Sequence, residues 1–87
     1  MTLKEIQKRN YKATIKRGLI TDETKDIDFC YKIREELKEL VDSETLENEA
    51  EELADIALVC FAYAEHFNID LISEMEKKTI KNENRTD

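Results

Sequence analysis

The stretch EELADIALVCFAYAEHF, residues 51–67, decides the fold. Between positions 53 and 64 every residue is apolar or aromatic except Asp55. A helix that is apolar on nearly all sides is buried on nearly all sides. An unpaired carboxylate inside such a run costs several kcal/mol or shifts its pKa to escape ionisation. Asp55 therefore demands a reason, and the acids around it supply one.

The composition surrounding this stretch is helical. The 87 residues hold no proline, a single glycine and 40% charged side chains, which predicts helices joined by short polar turns and argues against a sheet. One domain, 1–87, is expected at this length. A chain so short buries only about 60–65% of its unfolded surface, so oligomerisation is expected to complete the core.

Four helical segments are legible. The first, about 3–17, carries Leu3, Ile6, Asn10, Ala13 and Arg17 along one side and stops at Gly18, a residue suited to the left-handed position after a helix. A loop with cap-type residues Thr21, Asp22, Thr24 and Asp26 leads to the second helix, which starts at Asp26 or Asp28 and ends at Val41. Its apolar positions Cys30, Ile33, Leu37, Leu40 and Val41 step by three and four. The third helix covers about 44–67 and the fourth starts near Asp70, bearing Leu71, Ile72, Met75 and Ile80. Together they predict an all-α, four-helix bundle-like domain.

The net charge of −7 argues against binding a nucleic-acid polymer, although an acidic chain can still meet phosphates through a divalent cation. Cys30 and Cys60 sit at helix-core spacing and are expected as reduced core residues, in keeping with a cytoplasmic setting. The N-terminus shows no signal-peptide pattern and no apolar run reaches membrane-spanning length.

Asp55 forms part of a constellation. Glu36 and Glu39 stand three apart on the second helix, Glu52 and Asp55 three apart on the third, and residues so spaced share a helix face. Each pair borders its helix's apolar stripe, so packing the stripes brings the pairs together. Four carboxylates in a half-buried pocket cannot all stay ionised without a counter-charge. All-oxygen ligands without histidine favour Mg²⁺ or Mn²⁺. Glu35 and Glu51 flank the pairs as second-layer or water-orienting groups. Acidic pairs three apart also arise on ordinary solvated faces, and that reading competes.

ELKE at 36–39 and ELAD at 52–55 give ExxE, twelve residues, then ExxD, which resembles the signature of the MazG-like all-α nucleoside triphosphate pyrophosphohydrolases. NYKATIKRGLITD (10–22) resembles that family's first helix and loop, FNIDL (67–71) its link to the last helix, and EMEKKTIKNENR (74–85) its basic end. The likeness is to the small single-domain members, including those of phage genomes. It implies Mg²⁺-dependent hydrolysis of a (deoxy)nucleoside triphosphate to the monophosphate and pyrophosphate by a homodimer or homotetramer. It further implies metal binding by Glu36, Glu39, Glu52 and Asp55, and phosphate contacts from Lys78, Asn82 and Arg85. Asn10 would reach the sugar or base. Leu19 and Ile20 follow Gly18 where relatives often carry an aromatic, so stacking on the base is not implied.

The competing function is a non-catalytic helical nucleotide-binding or assembly protein of the same fold. A di-iron bundle is disfavoured, because it needs Glu-x-x-His motifs and His66 has Tyr63 three residues earlier. His66 lies eleven residues past Asp55, roughly 16 Å along the helix, and is expected at a helix-end surface. Phe61, Tyr63 and Phe67 are expected as core or interface aromatics.

Overall fold

The computed structural model describes residues 1–87 as four helices and no strand: α1 (Leu3–Lys16), α2 (Asp26–Val41), α3 (Leu46–His66) and α4 (Leu71–Glu83). α1 begins with a capping box in which Thr2 and Glu5 satisfy each other's backbone N–H groups. It ends in a Schellman turn: the N–H of Leu19 bonds the Thr14 carbonyl and that of Gly18 the Ile15 carbonyl, with Gly18 at φ +75°. α3 closes the same way, with the Ile69 and Asn68 N–H groups on the carbonyls of Ala64 and Glu65 and Asn68 at φ 56°. Asp70 then caps α4 by accepting from the Ser73 N–H, after a bend of 118° from α3. α2 starts at Asp26, with Asp28 taking the Lys25 N–H, while Thr21 and Thr24 fold the preceding loop onto itself.

α1 and α2 both pack on α3, and α4 packs along neither of them. The centre is Ile20, Phe29 and Ala62, with Tyr11, Val59 and Tyr63 around them. Phe29 stacks on Tyr63 at 5.0 Å between ring centroids.

α2 is rotated from the stripe expected of it. Phe29 and Glu36 are buried and Ile33 and Leu40 half-buried, so the inward row steps by four, three and four. Cys30, Leu37 and Val41 fall on a neighbouring face, about 100° away by the helical period, and are exposed. Cys30 is thus a surface thiol rather than a core residue, whereas burial pushes the Cys60 thiol up. The reason for the rotation is that α2 has an apolar arc wider than one neighbour covers, and α3 takes the edge that carries Phe29.

α1 differs too. Its inward side is Ile6, Gln7, Asn10, Tyr11 and Thr14, a largely polar row, while Leu3 and Ala13 are exposed. Hydrogen bonds replace apolar contact there: Gln7 Nε2 donates to Glu65 Oε2 (2.8 Å) and Asn10 Nδ2 to the Leu58 carbonyl (3.1 Å). His66 is half-buried, which corrects the surface placement: Nδ1 meets the Tyr11 hydroxyl at 2.7 Å and Nε2 the Thr24 carbonyl at 2.9 Å. A carbonyl only accepts, so Nε2 carries a proton toward Thr24, and in the neutral ring Nδ1 accepts from the Tyr11 hydroxyl. One ring thereby ties α1, α3 and the α1–α2 loop together.

The single chain is open. Its accessible surface is 7015 Å², against about 5,400 Å² for a compact protein of this mass. Its radius of gyration is 14.4 Å, against about 12 Å for a compact domain of this length. No helix alone is long and apolar enough to cross a membrane.

Candidate functional site

The packing of α2 on α3 brings three acids together. Carboxylate oxygens of Glu36, Glu39 and Glu52 all lie within 4.8 Å of one another. Glu36 enters because it occupies the inward row of α2, at the centre of the helix contact rather than at its shoulder. Glu39 follows one turn later at the exposed edge, and Glu52 faces both from the first half of α3. Asp55, one turn beyond Glu52, is exposed and stands outside the three-way cluster. It lines the same cleft as Glu36.

The electrostatics of this cluster are unbalanced. Glu36 Oε2 and Glu52 Oε2 are buried with no hydrogen-bond partner. Burial foremost, then hydrogen bonding to and repulsion by Glu39, then repulsion from Asp55 and Glu36, push the Glu52 carboxyl up to about 7. The one cation in reach is Lys32, whose Nζ lies 3.3 Å from Glu36 Oε1 and 3.6 Å from Glu35 Oε2. The pairing with Glu36 raises the Lys32 ammonium pKa. Glu35 is exposed beside it and Glu51 is exposed on α3.

From the cluster runs a cleft of about 490 Å³ between α1, α2 and α3. One part is apolar, walled by Leu19, Ile20, Phe29, Leu58, Val59 and Ala62. The polar part holds Asn10, Thr14, Arg17, Asp28, Lys32, Glu36 and Asp55. Asn10 lines this cleft, with its amide donating to the Leu58 carbonyl. Lys78, Asn82 and Arg85 are not on this cleft: they lie exposed on and just past α4, where Arg85 bonds Asn82 and Asp87.

Arg17 and Lys32 are the cationic residues of the cleft, and the sequence analysis assigns neither a function. The spacing of Lys32, four residues before Glu36 on one helix, was the available signal, since such pairs face each other. Arg17 stands seven residues past Asn10 on one side of α1, a spacing that brings both to the same cleft.

Comparison with protein families, curated proteins and solved structures found no match to this chain.

Proposed function

We propose that this protein is a Mg²⁺-dependent hydrolase that converts a (deoxy)nucleoside triphosphate to the monophosphate and pyrophosphate. The observation that carries the reading is the cluster of Glu36, Glu39 and Glu52, with two buried carboxylate oxygens lacking any partner, at one end of a cleft of nucleotide size. A buried carboxylate oxygen calls for a hydrogen-bond donor or a cation, and one divalent ion would serve several such oxygens at once. The donor set fits Mg²⁺ or Mn²⁺: it is all oxygen, and its span suits a hard cation after a small inward rotation of side chains.

Glu36, Glu39 and Glu52 would hold the cation, with Asp55 completing the set from the cleft side. Bound there, Mg²⁺ supplies charge neutralisation for the phosphates and lowers the pKa of a water. Glu35, held near the cluster by Lys32, would orient that water, and Asn10 would meet the sugar or base. Attack of water on a phosphoryl group needs positioning and charge more than a covalent nucleophile. The absence of a Ser–His or Cys–His arrangement is no obstacle.

The assembly belongs to the same reading. The surface excess over a compact chain, about 1,600 Å², is larger than the roughly 800 Å² each partner contributes to a standard interface. Leu37, Val41, Leu53 and Ile80 are all at least half exposed and would be covered in a homodimer or homotetramer. Lys78, Asn82 and Arg85 would meet a phosphate only if α4 reaches the cleft of a neighbouring chain. A cytoplasmic pool of free nucleotides is the setting this reaction requires.

The test is pyrophosphate release from a panel of canonical and modified (deoxy)nucleoside triphosphates with Mg²⁺, beside Asp55→Ala. Release that the substitution abolishes supports the reaction. Silence across the panel from folded, Mg²⁺-binding protein would leave a binding module instead.

A further inference from the structure

We propose that Arg17 and Lys32 form a phosphate clamp within each chain, taking the polyphosphate of a nucleotide along the wall of the cleft that leads to Glu36. This deepens the hydrolase reading and rests on it for the identity of the ligand. It assigns phosphate binding to α1 and α2 of the same chain rather than to the basic end of α4.

Four observations carry it. Arg17 and Lys32 line one cleft with Asp28, Glu36 and Asp55, and they are its only cationic residues. Arg17 takes part in none of the chain's ion pairs, so its five donors are free for an incoming anion. Glu36, with a side chain only 9% exposed, leaves Oε2 unpartnered while Oε1 faces Lys32. The Lys32 ammonium therefore stands beside Glu36 on the wall of the same cleft. Lys78 and Arg85, the other basic candidates, are absent from the cleft lining.

The chemistry follows from charge. A triphosphate arriving at a carboxylate cluster meets repulsion unless cations stand between the two. A divalent ion on Glu36, Glu39 and Glu52 offsets part of it, and fixed cations along the approach must offset the rest. Lys32 is a compact charge on a flexible stem, able to turn from Glu36 to a phosphate oxygen once the cluster has its own counter-ion. Arg17 supplies a planar fork matched to two phosphate oxygens.

Inorganic tripolyphosphate is the probe, since it carries the triphosphate chain common to every nucleoside triphosphate and neither sugar nor base. Calorimetric titrations of Mn²⁺ alone, and then of tripolyphosphate with Mn²⁺ present, compare wild type with Arg17→Gln, Lys32→Gln, Lys32→Arg, Lys78→Gln and Arg85→Gln. The clamp requires tripolyphosphate binding weakened about tenfold or more by Arg17→Gln and by Lys32→Gln. It also requires that Mn²⁺ affinity not fall in either variant, and that Lys32→Arg restore part of the loss. Arg17→Gln, at an exposed helix end, decides alone if Lys32→Gln does not fold. Loss in Lys78→Gln and Arg85→Gln with none in Arg17→Gln and Lys32→Gln would overturn the clamp. So would wild type that binds Mn²⁺ but not tripolyphosphate. Clamp-dependent binding in a chain that releases no pyrophosphate would keep the clamp and remove the reaction.

Discussion

At the residue scale the defining feature is Glu52. Its carboxyl titrates at about 7 where the ordinary value is 4.5, because burial and neighbouring acids favour the neutral form. The folded chain then holds a proton that the unfolded chain has released between those two pH values, so folding weakens as pH rises through that window. Below 4.5 both states are protonated and the contribution is fully present; above about 7 it has been lost. Thermal melts without divalent cation should show a fall in midpoint from pH 4.5 to 7 that Glu52→Gln removes and Mg²⁺ suppresses. A wild-type profile that stays level, or climbs, across that window without cation would contradict this description of the cluster.

His66 gives a second residue-scale expectation. His66→Phe keeps an aromatic ring against Phe29 and Phe67 but leaves the Tyr11 hydroxyl and Thr24 carbonyl without their partner. The loss should be about 1–3 kcal/mol, read by urea unfolding. A variant as stable as wild type would mean that water replaces the ring nitrogens at no cost.

At the scale of elements, the helix ends carry much of the definition. Gly18 at φ +75° has open space around its missing Cβ, so Gly18→Ala pays only for the left-handed backbone, about 1–2 kcal/mol. That should lower the midpoint by roughly 4–8 °C per kcal/mol for a domain of this size. Gly18→Asn should cost less, as Asn68 already occupies the equivalent position after α3.

These ends are legible because Gly18 and Asp70 have chemistry that acts within a few residues. The helices themselves were legible from periodicity and from the lack of proline. What periodicity misjudged was rotation. On α2 the apolar residues Cys30, Leu37 and Val41 outweigh the inward row in hydrophobicity, so the expected stripe, which shares Ile33 and Leu40 with that row, is centred about 60° from where Phe29 fixes it. The same error put Glu36 at the edge of the contact when it lies at the centre. On α1 the contact row is polar, and hydropathy has no means of finding Gln7 or Tyr11. The two carboxylate pairs were visible as spacings; that Asp55 would stand outside the tight cluster depends on the helix crossing, which no spacing encodes.

At the scale of the molecule, three helices form a small core and α4 leaves it at 118° without burying a residue. An 87-residue chain that leaves Leu37, Val41, Leu53 and Ile80 at least half exposed is expected to assemble in solution. Multi-angle light scattering should give a mass of two or four chains. Leu37→Glu combined with Leu53→Glu should shift it toward one. A monomer at all concentrations would mean that the exposed arc serves some other partner.

The proposed chemistry depends on whether the carboxylates hold a cation. Calorimetric titration of Mn²⁺ into metal-free protein, wild type beside Glu36→Gln, measures that directly. Glu36 supplies the buried, unpartnered oxygen at the centre of the site. The expected result is saturable binding in wild type, weakened at least tenfold in Glu36→Gln while helical content is unchanged. Equal binding in both proteins, or none in either, would contradict a metal centre between α2 and α3.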